Sequence, residues 1–142
     1  MKESEIILIR HGETEWNSQQ RMQGHSNSDL SAEGRYQIQA LGKWMKNVSF
    51  DHIYSSDSQR AQQTAKAITQ YSGHTLQLDQ RIREKNLGVF EGLTSDEARG
   101  RFPDVYHLFK TAGINYVIDK GESTQQLLDR SFEFIEDIRL RH

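Results

Sequence analysis

EIILIRHGETEWN, at residues 5–17, joins an apolar run to a polar end, and this stretch decides the fold prediction. The run IILI at residues 6–9 is rich in β-branched residues and does not alternate with polar ones, as is typical of a buried strand in a parallel sheet. Arg10 and His11 follow at the carboxyl end of this predicted strand, and Gly12 lets the backbone approach a ligand closely. We therefore expect both side chains to face one small anion.

Length and composition predict one domain over residues 1–142, since no repeat, low-complexity tract or linker divides the chain. The net charge of -2, from 18 Lys and Arg against 20 Asp and Glu, is too balanced for a nucleic-acid-binding or polybasic membrane surface. The chain has no cysteine, which excludes disulfides and thiolate ligands and is consistent with a cytoplasmic location. The run at residues 6–9 is too short for a signal peptide or a membrane span.

Helices and short strands alternate in the rest of the chain, as apolar periodicity and capping residues indicate. The capping boxes Thr94 with Glu97 and Ser123 with Gln126 begin the last helices, and Pro103 interrupts the first of these. This order predicts an α/β domain with a mostly parallel sheet flanked by helices. The first predicted helix begins at Ser31, and its apolar face carries Leu41, Trp44, Met45 and Val48. The strand HIYSS at 52–56 follows, and then a helix that is capped by Ser56 or Asp57, carries Ala61, Thr64, Ala65 and Ile68 on one face, and ends at Gly73. The strand TLQLD begins at Thr75, and the apolar side of the last helix carries Leu128, Phe132, Ile135 and Ile138.

Polar side chains converge at the carboxyl ends of these predicted strands. Ser55 and Ser56 end the second strand, and Arg60 lies in the first turn of the following helix. Because ligands of parallel α/β sheets bind beyond the strand ends, and helix N-termini favour anions, we expect Arg60 to lean toward His11. By default, Glu84 is a surface charge. No metal or other cofactor is expected, since no metal-ligand spacing occurs among His25, His52, His74 and His107, which we interpret as surface or core residues.

Seven separate segments match, in the right order, the motifs of one enzyme superfamily. They are RHGETEWN at 10–17, QG at 23–24, LSAEGRYQIQAL at 30–41, IYSSDSQRAQQTA at 53–65, REKNLGVFEGLT at 83–94, FPDVY at 102–106 and GESTQQLLDR at 121–130. On these motifs the chain resembles the histidine phosphatase superfamily, which includes phosphoglycerate mutases, fructose-2,6-bisphosphatases and many small phosphatases.

The resemblance implies phosphoryl transfer through a phosphohistidine, without a metal. His11 resembles the nucleophile, and Arg10 and Arg60 resemble the pair that binds the phosphoryl oxygens. Glu84 resembles the acid that protonates the leaving oxygen and then activates water, and its neighbours Arg83 and Lys85 are expected to favour the ionised carboxylate. The substrate-binding positions that the resemblance implies are Arg10, Gly12, Glu13, Thr14, Asn17, Gln23, Gly24 and Arg60, while Gly121, Glu122 and Ser123 are interpreted as structural.

Within the superfamily, the form RExxxGxxEG at residues 83–92 resembles the small phosphatases and the fructose-2,6-bisphosphatases more than the mutases, so the resemblance implies a phosphatase of a small phosphorylated metabolite. A phosphoglycerate mutase and a noncatalytic phosphate-binding protein are the alternatives. The family's second active-site histidine lies in a His-Gly turn after a further strand, so we expect the 142 residues to correspond to about the first two-thirds of the domain, without its C-terminal strand and helix. Because that strand lies beside the one that carries His11, EIILIR would have an unpaired edge, which predicts self-association.

Overall fold

This computed structural model describes residues 5–142, and in that part of the chain it has a two-stranded parallel sheet and six α-helices. In β1 and β2 the register places Ile53 opposite Leu76 and Ser55 opposite Leu78. The predicted α/β class is confirmed. In chain order the elements are α1 (Glu15–Ser18), α2 (Ala32–Met45), β1 (Ile53–Ser55), α3 (Gln59–Ser72), β2 (Leu76–Leu78), the 3₁₀ turns Gln80–Ile82 and Gly88–Phe90, α4 (Ser95–Arg101), α5 (Pro103–Thr111) and α6 (Thr124–Arg141).

The strand predicted at residues 5–10 is not present in the structure. These residues have no regular secondary structure and are exposed, Leu8 at 88%. An apolar run forms a buried strand only where another backbone pairs with it and side chains cover its faces. Within residues 5–142, β1 pairs only with β2, and no strand pairs with the run, so this part of the prediction is wrong for the described structure.

Helix α2 packs against α3 through a face that includes a glycine. A Cβ on Gly42 would lie 2.2 Å from the carbonyl oxygen of Ala67, so the two backbones approach closely there. Met45 is buried, whereas Trp44, predicted on the same apolar face, is exposed. Successive side chains on an α-helix are about 100° apart, so Trp44 points to nearly the opposite side from Gly42. The prediction for Trp44 is therefore wrong.

An aromatic cluster lies beneath α4 and α5. Phe90 is fully buried, and the rings of Phe102, Tyr106 and Phe109 surround it with centroid distances of 5.5 to 6.5 Å. The interruption predicted at Pro103 is the junction between the two helices. Because Phe90 belongs to the segment that follows Glu84, this cluster anchors one side of the site described below.

Helix α6 begins at the capping box predicted for Ser123 and Gln126. Its buried aromatic residue is Phe134, whose ring packs edge-on against Tyr54 of β1 with centroids 5.4 Å apart. Phe132, predicted to lie on the apolar face, is exposed. Residues two positions apart point to nearly opposite sides of a helix, so the packing of Phe134 on the sheet turns Phe132 outward.

Candidate active site

The loop that carries His11 is held between α2 and α3. The backbone N–H of Gly12 donates to Thr64 Oγ1 of α3 at 3.1 Å. A Cβ on Gly12 would lie 2.8 Å from the carbonyl oxygen of Gly34 and 2.6 Å from Ile38 Cγ2, both of α2. Such close approach leaves no room for a larger residue. Glycine at this position thus allows His11 to sit where the two helices meet.

The His11 imidazole is oriented with one nitrogen available. Its Nδ1 lies 2.7 Å from the carbonyl oxygen of Gly12, and because a carbonyl only accepts, Nδ1 carries the proton and donates. Burial lowers the pKa of His11 below 6.5, the Gly12 hydrogen bond opposes this, and the charges of Arg60 and Arg10 lower it further. The neutral ring therefore presents an unprotonated Nε2, which is the form that can attack phosphorus.

Arg60, at the start of α3, is only 2% exposed. Its Nη1 donates to the carbonyl oxygen of Ser26 and its Nη2 to that of Gly24, each at 2.9 Å. Its buried Nε has no partner within residues 5–142. A guanidinium carries five N–H donors, so the two carbonyl contacts leave donors for an anion. Burial lowers the pKa of Arg60, and the carboxylates of Glu84 and Glu91 oppose the shift.

Glu91 holds the loop that anchors Arg60. Its Oε1 accepts from the backbone N–H of His25 at 2.8 Å, and its Oε2 accepts from the backbone N–H of Ser26 at 2.9 Å and from the Ser26 hydroxyl. Gly24 has φ of +55°, and a Cβ there would lie 2.2 Å from Glu91 Oε1. Sequence reasoning assigned no role to Glu91. The signal available was its place in the matched segment REKNLGVFEGLT.

Glu84 lies on the segment between the two 3₁₀ turns, with its side chain exposed. Its carboxylate Oε1 accepts from the backbone N–H of Lys85 at 2.7 Å. Both neighbouring cations are directed elsewhere, since Arg83 forms a bidentate pair with Asp57, and Lys85 Nζ donates to Thr124 Oγ1 at 2.8 Å. Neither Arg83 nor Lys85 therefore pairs with the Glu84 carboxylate within residues 5–142.

A small polar cavity of about 80 Å³ opens beside Glu84. It shares Asn27 and Asp57 with an open groove of about 340 Å³ along α3. Glu84 lines this cavity, whereas His11 does not. His25, interpreted from sequence as a surface or core residue, lines it as well. The full lining is Gly24, His25, Asn27, Asp57, Ser58, Arg83 and Glu84.

Of the other predicted site residues, Arg10 is exposed, and several residues of the loop after His11 form hydrogen bonds within the loop or with the start of α2. Arg10 is exposed beside His11, with no hydrogen bond to another residue of 5–142. Thr14 is fully buried, its hydroxyl lying 2.8 Å from Gln23 Oε1, and its backbone N–H donates to Asn17 Oδ1 at 3.0 Å. Glu13 Oε1 accepts from the hydroxyl of Ser31, the N-cap of α2, at 2.7 Å. The contacts of Thr14, Gln23, Asn17 and Glu13 are thus with one another and with the N-cap of α2, whereas Gly24 and Glu84 line the cavity.

Two kinds of feature are absent from the part of the chain that the structure describes. No group of three or more His, Cys, Asp or Glu side chains is placed to hold a metal ion there. None of its helices has the length and apolar character needed to cross a membrane.

Comparison with known proteins gives a family and several relatives. The family description "histidine phosphatase superfamily (branch 1)" matches residues 6–142. A relative from Escherichia coli O1:K1, described as "probable phosphoglycerate mutase GpmB", is 36% identical over 135 residues, which cover 95% of this chain and 63% of the relative. This chain thus spans less than two-thirds of the length of such curated relatives.

Solved structures with the same fold include several proteins from bacteria. Bacillus stearothermophilus YhfR is 38% identical, with a TM-score of 0.83, over 94% of this chain and 66% of that one. The alpha-ribazole phosphatase of Shigella flexneri is 27% identical, with a TM-score of 0.85, over 94% of this chain and 66% of that one. A mycobacterial glucosyl-3-phosphoglycerate phosphatase in complex with VO3 is 29% identical, with a TM-score of 0.83, over 93% of this chain and 63% of that one.

Proposed function

Because this chain belongs to the histidine phosphatase superfamily, branch 1, we propose that its full gene product hydrolyses a small phosphorylated metabolite through a phosphohistidine at His11. The observation that carries the proposal is the hydrogen bond from His11 Nδ1 to the carbonyl oxygen of Gly12, which leaves Nε2 unprotonated. Buried Arg60, whose charge acts on His11, supports the same chemistry, since a guanidinium stabilises the oxygens of a phosphoryl group during its transfer. The lack of cysteine supports a cytoplasmic location as part of this proposal.

The reaction proceeds in two displacements. First, Nε2 of His11 attacks phosphorus, the P–N bond forms and the P–O bond to the leaving group breaks, while the carboxylic acid of Glu84 gives its proton to the leaving oxygen. Second, the Glu84 carboxylate takes a proton from water, and the water oxygen displaces His11 from phosphorus. Inorganic phosphate and the neutral imidazole result. Arg10 and Arg60 stabilise the charge on the phosphoryl oxygens in both steps.

A phosphoglycerate mutase is the second candidate, favoured by the description of the Escherichia coli relative. Two observations favour hydrolysis instead: the RExxxGxxEG form of residues 83–92, and the phosphatase descriptions of the Shigella flexneri and mycobacterial structures. Product analysis separates them. A mutase transfers phosphate to another hydroxyl of the substrate and requires a bisphosphorylated primer, whereas a phosphatase releases inorganic phosphate.

The test uses the full gene product and a panel of phosphorylated metabolites. We expect phosphate release, together with an acid-labile phosphoryl group on the peptide that contains His11 after an alkaline quench. A His11→Ala variant that turns over at the normal rate would refute the mechanism. Binding of phosphate esters without turnover would instead favour a noncatalytic protein.

Metal independence is tested in the same assay. A chelator is expected to leave the rate unchanged, because Arg10 and Arg60 supply positive charge that a metal supplies in other phosphatases. A loss of phosphate release in chelator, with recovery on adding magnesium or zinc, would contradict the proposal.

A further inference from the structure

Arg130, in the second turn of α6, contacts the backbone of the segment that carries Glu84. Its Nη1 donates to the carbonyl oxygens of Arg81 at 2.6 Å and Arg83 at 2.8 Å, and its Nη2 donates to that of Glu84 at 2.9 Å. The Glu84 carbonyl also accepts from His25 Nε2 at 3.0 Å. One guanidinium therefore fixes the backbone at Arg81 and Arg83, before Glu84, and at Glu84 itself.

Glu122 completes the contacts of this guanidinium. Arg130 Nε donates to Glu122 Oε2 at 3.0 Å and Nη2 to Oε1 at 2.6 Å, so all five N–H donors of Arg130 have acceptors. Glu122 Oε1 also accepts from the backbone N–H of Asn86 at 2.8 Å, and Glu122 N–H donates to the Asn86 carbonyl at 3.0 Å. The pair thus holds the chain on both sides of Glu84.

The pair is well shielded and ionised. The side chains of Arg130 and Glu122 are only 19% and 14% exposed. Burial raises the pKa of Glu122, but the hydrogen bonds from Arg130 and from the Asn86 backbone outweigh this and hold it below 4.5. Glu122 is therefore a carboxylate at neutral pH, and its bidentate contact restricts the guanidinium to one orientation.

Glu84 needs such support, because its own surroundings give little. The segment between the two 3₁₀ turns has neither helix nor strand, and the Glu84 carboxylate is exposed, with a hydrogen bond only to the N–H of the next residue among residues 5–142. Docking of α6 does not depend on Arg130 alone. Arg81 also joins the 3₁₀ turn to α6, with its Nη2 donating to Asp137 at 2.7 Å.

We propose that Arg130 and Glu122 are positioning residues that hold the Glu84 carboxyl where it can protonate the leaving group of a phosphate ester bound at His11. This inference rests on the proposed phosphatase function. It assigns a role to two residues of the GESTQQLLDR segment, of which Glu122 was interpreted from sequence as structural only.

The variants are Arg130→Lys and Glu122→Gln in the full gene product. A lysine is a point charge and cannot bond three carbonyls and a carboxylate together. Glu122→Gln is the milder change, because it keeps the three carbonyl contacts of Arg130 intact. The matched control is Arg139→Lys, since Arg139 pairs with Glu136 on the same helix at 2.7 Å, but with the two side chains 66% and 59% exposed.

The measurement is the first-turnover release of phenols from a series of ring-substituted phenyl phosphates, which differ in leaving-group pKa but little in shape. The first turnover isolates leaving-group departure from the later hydrolysis step, which uses the same carboxylate. A displacement on the order of 1 Å lowers a rate by up to about 100-fold, so we expect Arg130→Lys to slow phenyl phosphate roughly 10- to 100-fold. Release of 4-nitrophenol needs little protonation and is expected to fall less than about threefold.

A steeper dependence of rate on leaving-group pKa in both variants, but not in Arg139→Lys, supports the inference. Equal losses for all esters, or no loss, in a variant whose thermal unfolding matches the unmodified protein would overturn it. Should Arg130→Lys fail to fold, Glu122→Gln gives the same test with a smaller expected change in slope. If the unmodified protein forms no phosphohistidine and releases no phenol, it is the proposed function that fails.

Discussion

Replacing Gly34 by alanine tests whether the contact between α2 and the His11 loop sets the geometry of the site. A Cβ at this position would lie 1.9 Å from the carbonyl oxygen of Glu13, where real Cβ atoms essentially never come closer than 3.0 Å. The Glu13 backbone must therefore shift by on the order of 1 Å, a displacement that can lower a rate by about 100-fold. That shift also disrupts the hydrogen bond from Ser31 N–H to the same oxygen, at 3.0 Å.

The expected loss of stability combines two destabilising effects and one stabilising effect. Overpacking costs about 1–3 kcal/mol, the weakened hydrogen bond about 1 kcal/mol, and the better helix propensity of alanine restores about 1 kcal/mol. The free energy of unfolding is therefore expected to fall by about 2 kcal/mol, which corresponds to a fall in Tm of roughly 4–8 °C for a domain of this size. We also expect phosphorylation of His11 to slow about 100-fold, because Glu13 lies two residues from it.

The assay is urea and thermal unfolding of the chain, with His11 phosphorylation measured in the full gene product. Gly100→Ala in α4 is the matched control, because nothing lies within 4 Å of a Cβ there. It is expected to leave stability unchanged or to raise it by up to about 1 kcal/mol. The reasoning is refuted if Gly34→Ala is as stable as Gly100→Ala and phosphorylates His11 at the normal rate.

In an NMR titration of the free protein, His11 is expected to titrate below pH 6.5 with Nδ1 protonated in its neutral form, because burial disfavours the imidazolium; a midpoint above 6.5 would contradict this. Because the unfolded chain binds the proton of the His11 imidazolium more tightly than the folded chain does, folding is favoured while His11 is neutral. This contribution to the free energy of unfolding is fully present above pH 6.5 and is lost as the pH falls through the folded pKa of His11. The variant His11→Asn should therefore flatten this part of the plot of stability against pH. Arg60→Lys is expected to lower the rate by about 10²–10³, since an ammonium cannot hold the Gly24 and Ser26 carbonyls and an anion together; normal phosphate release would argue against its role. Self-association through the exposed run at residues 6–9 should weaken in Leu8→Lys when measured by sedimentation, and a monomeric parent chain at high concentration would disprove it.

Much of the helical structure could be predicted because its signals are local. Capping boxes at Thr94 and Ser123 and the glycine at 73 mark real helix ends, since a side chain that bonds an N–H three residues away acts within one turn. The faces that the helices bury were harder to predict, and Trp44 and Phe132 were placed wrongly. Apolar periodicity shows that a face exists, but the partner decides which residues it covers.

The family, the α/β class and the candidates His11, Arg60 and Glu84 could be assigned from the sequence, because short motifs in a fixed order carry that information. The proton on His11 Nδ1 and the backbone carbonyls that hold Arg60 and Arg130 became evident only from the folded chain. Arg60 reaches Gly24 across 36 positions of the chain, and Arg130 reaches Glu84 across 46. Carbonyl oxygens are present at every residue, so no pattern of side chains predicts which of them a guanidinium will meet; that depends on how the whole chain packs.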